Sequence, residues 1–129
     1  MTMRVLLIED NEQNRYLVTF LMERDGCTVT HAADGPAALA CARAARFDLI
    51  LLDVQLPGMD GYAVARALRA EGRQPGVPIV AVTSYAMSGD REKALASGCD
   101  GYLEKPIDID TFMAEIRRHA RVEPGGGEP

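Results

Sequence analysis

The chain has no apolar run near the ~20 residues that a membrane-crossing helix requires. Its first residues lack the basic-then-apolar layout of a secretory signal, since Glu9 and Asp10 follow only a short apolar run. Together these absences point to the cytoplasm. Cysteine is scarce: Cys27, Cys41 and Cys99 are odd in number and widely separated, with no CxxC spacing, which excludes a disulfide framework and a zinc site. They read as small buried or half-buried thiols in a reducing compartment. The two histidines, His31 and His119, have no cysteine or second histidine nearby, and His119 reads as part of a basic helix end. A net charge of −5 argues against a grip on nucleic acid phosphates. Lysine occurs only at Lys93 and Lys105, so the placement of each is informative. Glycine is missing from the turn Glu9–Asn14, where a nucleotide or flavin binder would need GxGxxG, and no Walker-type loop occurs.

The 129 residues suffice for one domain, which buries roughly two-thirds of its unfolded surface without a metal or disulfide staple. Short β-branched runs, at Arg4–Ile8, Cys27–His31, Leu49–Asp53, Val77–Val82 and Gly101–Leu103, alternate with helical stretches. Their near-continuous hydrophobicity suits parallel strands covered on both faces. The first helix spans about Glu12 to Arg24, with Leu17, Phe20 and Leu21 spaced for one buried face. The second runs from Pro36 to Ala45 and the third from Tyr62 to Ala70, behind Asp60 as a cap. The fourth covers about Gly89 to Ser97, capped by Ser88 and stopped by Gly98. The fifth covers about Ile109 to Ala120, with Asp108 as cap and Ile109, Phe112, Met113, Ile116 and Ala120 on one stripe. Five strands alternating with five helices make a doubly wound α/β fold with right-handed crossovers. It occupies residues 1–121; residues 122–129, with Gly125 to Gly127 among them, are expected to be a flexible tail.

Acidic residues collect at strand ends, where open α/β sheets keep their ligand sites. Glu9 and Asp10 close strand one and Asp53 closes strand three. If those strands are neighbours, three carboxylates converge. Two like charges 4 Å apart repel by ~4 kcal/mol at an effective dielectric of 20, so the cluster calls for a cation. A few hard oxygen ligands completed by water suit Mg²⁺ and its preference for phosphate. Strand four ends near Thr83 and strand five near Lys105-Pro106, placing a hydroxyl and an ammonium on the same rim. Both are donors for an anion arriving at Asp53, with Lys105 acting as a point charge.

Five segments carry a resemblance: Ile8-Glu9-Asp10-Asn11, Leu49-Ile50-Leu51-Leu52-Asp53, Leu56-Pro57-Gly58-Met59-Asp60-Gly61, Val82-Thr83-Ser84 and Lys105-Pro106. From about Met3 to Ala120 the chain resembles the receiver domains of two-component response regulators, and Asp53-Val54-Gln55-Leu56-Pro57 and Tyr85-Ala86-Met87-Ser88-Gly89-Asp90 look most like single-domain regulators of the DivK kind. Similar segments also occur in receivers of hybrid histidine kinases. The resemblance implies a five-stranded parallel sheet in flavodoxin-like order 2-1-3-4-5. It implies that Asp53 is the phosphoacceptor, charged by a histidine kinase or histidine phosphotransferase. It implies a Mg²⁺ site of Asp10, Asp53 and the backbone carbonyl of Gln55, with Glu9 reaching the ion through water. Thr83 and Lys105 would bind the phosphoryl group, and Thr83 and Tyr102 would form the switch that alters the helix 4–strand 5–helix 5 face for a downstream protein. The Lys105-Pro106 bond would be cis, and Gln55 and Tyr85 would tune dephosphorylation.

On this reading the domain is a signalling switch that catalyses only its own modification. A Mg²⁺-dependent phosphoaspartate phosphohydrolase is the rival, but such enzymes carry a second catalytic Asp two residues past the nucleophile, where this chain has Gln55. A free-standing regulator is expected over a receiver excised from a hybrid kinase, because strand one follows Met1 closely and the tail carries no output domain.

Overall fold

Strict two-residue alternation along the central strands divides the core into two layers. In β1 (Arg4–Ile8), Leu6 and Ile8 join one buried cluster and Val5 and Leu7 the other. β3 (Leu49–Asp53) sends Ile50 and Leu52 one way, Leu49 and Leu51 the other. β4 (Ile79–Thr83) does the same with Ile79 and Ala81 against Val80 and Val82. Because both faces are covered, these strands read as unbroken apolar runs. β2 (Thr28–Ala32) and β5 (Gly101–Glu104) form the edges, and each mixes buried with exposed positions. The order is β2-β1-β3-β4-β5 and every neighbouring pair is parallel. The computed structural model describes residues 3–56, 60–83 and 90–120.

Helices α1 (Glu12–Arg24) and α5 (Phe112–His119) cover one face, bringing Val18, Leu21, Met22, Phe112 and Ile116 onto Val5, Leu7, Leu51 and Val80. Helices α2 (Gly35–Ala44), α3 (Gly61–Glu71) and α4 (Asp90–Ala96) cover the other with Ala38, Ala42, Val64, Leu68 and Ala94. The result is a doubly wound, flavodoxin-like sandwich. Side-chain caps begin three helices: Asn11, Asp34 and Asp60 accept from the N–H groups of Asn14, Ala37 and Ala63, each at 2.9 Å. No helix among the described residues is long and apolar enough to cross a membrane.

Two expectations need correction. Phe20 is 52% exposed, not buried. At 100° per residue it falls nearly opposite Val18 and Met22, and its ring instead carries the Arg24 guanidinium 5.7 Å from its centroid. Helix α5 begins at Phe112, not Ile109, and Ile109 is 57% exposed. Asp108 organises a separate turn first: its Oδ1 accepts from Asp110 N and its carbonyl from Thr111 N and Phe112 N. Thr111 then occupies the N-cap position without a side-chain bond. β1, α1 and β3 keep their expected bounds, and the remaining boundaries differ by at most two residues; β4, for example, pairs only after Pro78, which has no N–H to donate. The Ser88 cap, Tyr85 and residues 122–129 lie outside the described residues. Cys27 and Cys99 are buried, Cys41 is half-buried, and all three are free thiols. His119 joins Arg117 and Arg118 in the last turn of α5.

Candidate functional site

The chain leaves β1 for the α1/α5 face and β3 for the α2/α3 face, so a crevice opens between the carboxyl ends of these neighbouring strands. Glu9 follows β1, buried, with its N–H on the Ala32 carbonyl at 3.0 Å. Asp10 follows it, exposed. Asp53 is the last residue of β3, buried, one step beyond the Ile8–Leu52 register pair. One carboxylate oxygen from each of Glu9, Asp10 and Asp53 lies within 4.8 Å of the others. Oxygens on opposite sides of a Mg²⁺ ion stand about 4.2 Å apart, given bonds of about 2.1 Å, so a closure of about 0.6 Å at most would bring this all-oxygen donor set onto a small hard cation.

Among the described residues, the Lys105 ammonium partly balances this cluster. Lys105 Nζ lies 3.4 Å from Asp53 Oδ2 and 3.5 Å from Glu9 Oε1. Its backbone N–H bonds the Thr83 carbonyl at 2.7 Å, which pins the lysine to the end of β4. The Lys105–Pro106 peptide bond is cis. Burial pushes the Glu9 carboxyl up to about 7, and the adjacent Asp53 carboxylate adds to the shift, while Lys105 and the Asn11 N–H oppose it. The other Asp53 oxygen, Oδ1, accepts from Gln55 N at 3.0 Å. Gln55 Nε2 in turn donates to Thr83 Oγ1 at 3.3 Å. Tyr102 pairs in register with Ala81 and Glu104 with Thr83, so Thr83 and Tyr102 stand on adjacent strands, two residues apart, on the α3/α4 side of the sheet. Each site residue taken from the sequence within the described region therefore sits on this one rim, Tyr102 at its margin.

Two contributors were given no role of their own in the sequence reading. Gly61 opens α3 hard against the site: a Cβ there would collide with Val54 Cα and lie 2.7 Å from the Asp53 carbonyl oxygen. A glycine at a first helical position, where any residue is tolerated, was the available signal of close backbone approach. Asn14, one turn into α1, lines a cavity of about 10 Å³ with Glu9, Asp53 and Lys105, enough for about one water. Nothing in the sequence marked it.

Residues 5–117 match the family described as the response regulator receiver domain. The chain belongs to that family. The receiver is 38% identical over 119 residues to the polar-differentiation response regulator DivK of Brucella ovis, covering 92% of this chain and 97% of that one. The DivK of Brucella anthropi is likewise 38% identical over 115 residues, 89% and 94% of the two chains. Among solved structures, the chemotaxis protein CheY4 of Vibrio cholerae superposes with a TM-score of 0.87 at 32% identity, over 92% of this chain and 99% of CheY4. The receiver domain of the sensor histidine kinase PA1611 from Pseudomonas aeruginosa superposes with a TM-score of 0.83 at 37% identity, over 92% and 98%. That structure has a magnesium ion coordinated in its active site cleft.

Proposed function

We propose that this receiver is a phosphorylation-activated switch of a two-component system or phosphorelay, with Asp53 as the phosphoacceptor. One observation carries the proposal: the Glu9, Asp10 and Asp53 oxygens gathered within 4.8 Å, with the Lys105 ammonium 3.4 Å from Asp53 Oδ2. This is an arrangement for receiving an anion on a carboxylate, which without cations would repel it.

Asp10, Asp53 and the Gln55 carbonyl would hold Mg²⁺ directly, with Glu9 acting through water; when bound, the ion neutralises the transferring oxygens. The Gln55 N–H on Oδ1 and the Lys105 ammonium beside Oδ2 orient the Asp53 carboxylate. A carboxylate oxygen attacks phosphorus in line, the P–N bond of a phosphohistidine on a kinase or phosphotransferase breaks, and the imidazole keeps the electron pair. Lys105 then shifts from the carboxylates to a phosphoryl oxygen, and the Thr83 hydroxyl donates to another. As Thr83 moves inward it leaves Gln55 and opens space toward Tyr102.

The output follows from that movement. Arg91, Leu95, Tyr102, Glu115, Arg118 and His119 line a hollow of about 320 Å³ between α4, β5 and α5, where a downstream protein would read the state of Asp53. The domain is regulatory and turns over no separate substrate.

Incubation with acetyl phosphate and Mg²⁺ should add one base-labile phosphoryl group per chain, and chelation or Asp53→Asn should prevent it. A phosphoryl group carried by the Asp53→Asn chain would overturn the assignment.

A further inference from the structure

Helix α4 is the helix closest in sequence to Thr83, and it buries little of its described surface. Of its residues from Arg91 to Ala96, only Ala94 is buried; Arg91, Glu92, Lys93, Leu95 and Ala96 face solvent. Its carboxyl end is different. Gly98, at φ 101°, turns the chain out of the helix, and Cys99 N–H returns to the Ala94 carbonyl at 3.0 Å. Buried Ser97 donates through Oγ to the Lys93 carbonyl at 2.8 Å and accepts from Arg66 Nη1 at 3.2 Å.

Arg69 completes the attachment. Its Nε donates to the Gly98 carbonyl at 3.0 Å and its Nη2 to Asp100 Oδ2 at 2.6 Å. The same Asp100 oxygen accepts from Ile79 N at 2.9 Å, at the start of β4. The Arg69 stem lies flat on Gly98, where a Cβ would stand 2.7 Å from Arg69 Cγ. Two arginines of α3 thus tie the end of α4 to both α3 and β4, while nothing comparable among the described residues holds its exposed body.

We infer that Arg69 is a positioning residue for the output face: it anchors the carboxyl end of α4 as a pivot, so that a change at Thr83 moves the amino end of the helix. The inference rests on the proposed switching of Asp53 and names its moving part. The ion pair is half-exposed and adds little to overall stability, so its effect lies in where motion is permitted. A helix anchored at one end responds by rotation; one released at both ends responds by shifting or fraying, and the hollow beside Tyr102 then lacks a defined shape.

Amide hydrogen exchange by NMR, with and without Mg²⁺ and beryllofluoride as a phosphoryl mimic, tests the pivot in wild type, Arg69→Ala and Asp100→Asn. The asparagine keeps an oxygen for Ile79 N and guards against misfolding of the alanine variant. In wild type, beryllofluoride should change the exchange of residues 91–94 while the amides of Ser97, Gly98, Cys99 and Asp100 stay within twofold. In both variants those four amides should exchange at least tenfold faster in the beryllofluoride state, with phosphoryl uptake from acetyl phosphate unchanged. Equal responses at the two ends of α4 in wild type, or variants that respond as wild type does, would overturn the pivot while leaving phosphorylation intact. A wild-type chain that takes up no phosphoryl group would overturn the parent reading instead, and the pivot with it.

Discussion

The two ends of the sheet handle charge in opposite ways. At the amino ends of the strands polar groups are tied into the fold. Gln74, buried, gives its amide nitrogen to the Ala42 and Ala45 carbonyls at 2.8 and 2.5 Å and accepts from Phe47 N at 3.1 Å. Asp48 takes the N–H of Arg4, and Arg117 grips Asp25 between α5 and α1. At the carboxyl ends, Glu9 and Asp53 share the ammonium of Lys105, with the Asp10 carboxylate beside them. One end is arranged to hold the fold, and the other keeps a surplus of negative charge that the proposed Mg²⁺ and phosphoryl group would complete. Stability and function are thereby separated by the length of a strand, as expected when a site stores an unfavourable arrangement that the rest of the fold offsets.

Substitutions at the two ends should break the fold in different ways. Gly61→Ala has the largest expected effect, because the added methyl meets the Val54 and Asp53 backbone rather than a movable side chain. It should cost about 3 kcal/mol by overpacking and abolish phosphoryl uptake as well, measured by urea unfolding and by mass after acetyl phosphate. Gln74→Ala strips partners from buried backbone groups and should cost about 2 kcal/mol, yet leave phosphoryl uptake unaltered. If it impaired uptake as severely as Gly61→Ala, the separation of the two ends would fail. Arg117→Ala removes a partly exposed pair and should cost less than about 1 kcal/mol in the same unfolding assay.

The thiols give the smallest and cleanest effect. Burial pushes Cys99 up to about 11 and raises Cys27 as well, so at pH 8 both stay protonated and unreactive. Iodoacetamide at that pH should label half-buried Cys41 first, and Cys27 and Cys99 only as the chain unfolds. Peptide mapping showing equal labelling of all three would contradict the packing of both cores.

The strands and the rim were legible because each is a local pattern: apolar runs of about five residues, each ending in or followed by a polar residue whose side chain has a use. Asp53, Thr83 and Lys105 stand out against the apolar segments before them. Helix faces were less legible. Phe20 looks like core by composition, but its angular position relative to Val18 and Met22 puts it outside. Ile109 matches the stripe of α5, yet the turn organised by Asp108 takes that residue before the helix starts. Gln74 and Arg69 were invisible, since their partners lie about thirty residues away in sequence and only the fold brings them close.

The account turns on the carboxylate cluster being an incompletely compensated charge that a divalent cation relieves. Thermal unfolding of wild type and Asp53→Asn, at constant ionic strength with and without Mg²⁺, measures this directly. Without metal, Asp53→Asn should be the more stable chain by ~1–2 kcal/mol, since it removes one of the repelling charges. Mg²⁺ at a hundred times its dissociation constant should stabilise wild type by about 2.7 kcal/mol and Asp53→Asn far less. An Asp53→Asn chain less stable than wild type without metal, with an undiminished gain from Mg²⁺, would contradict the account.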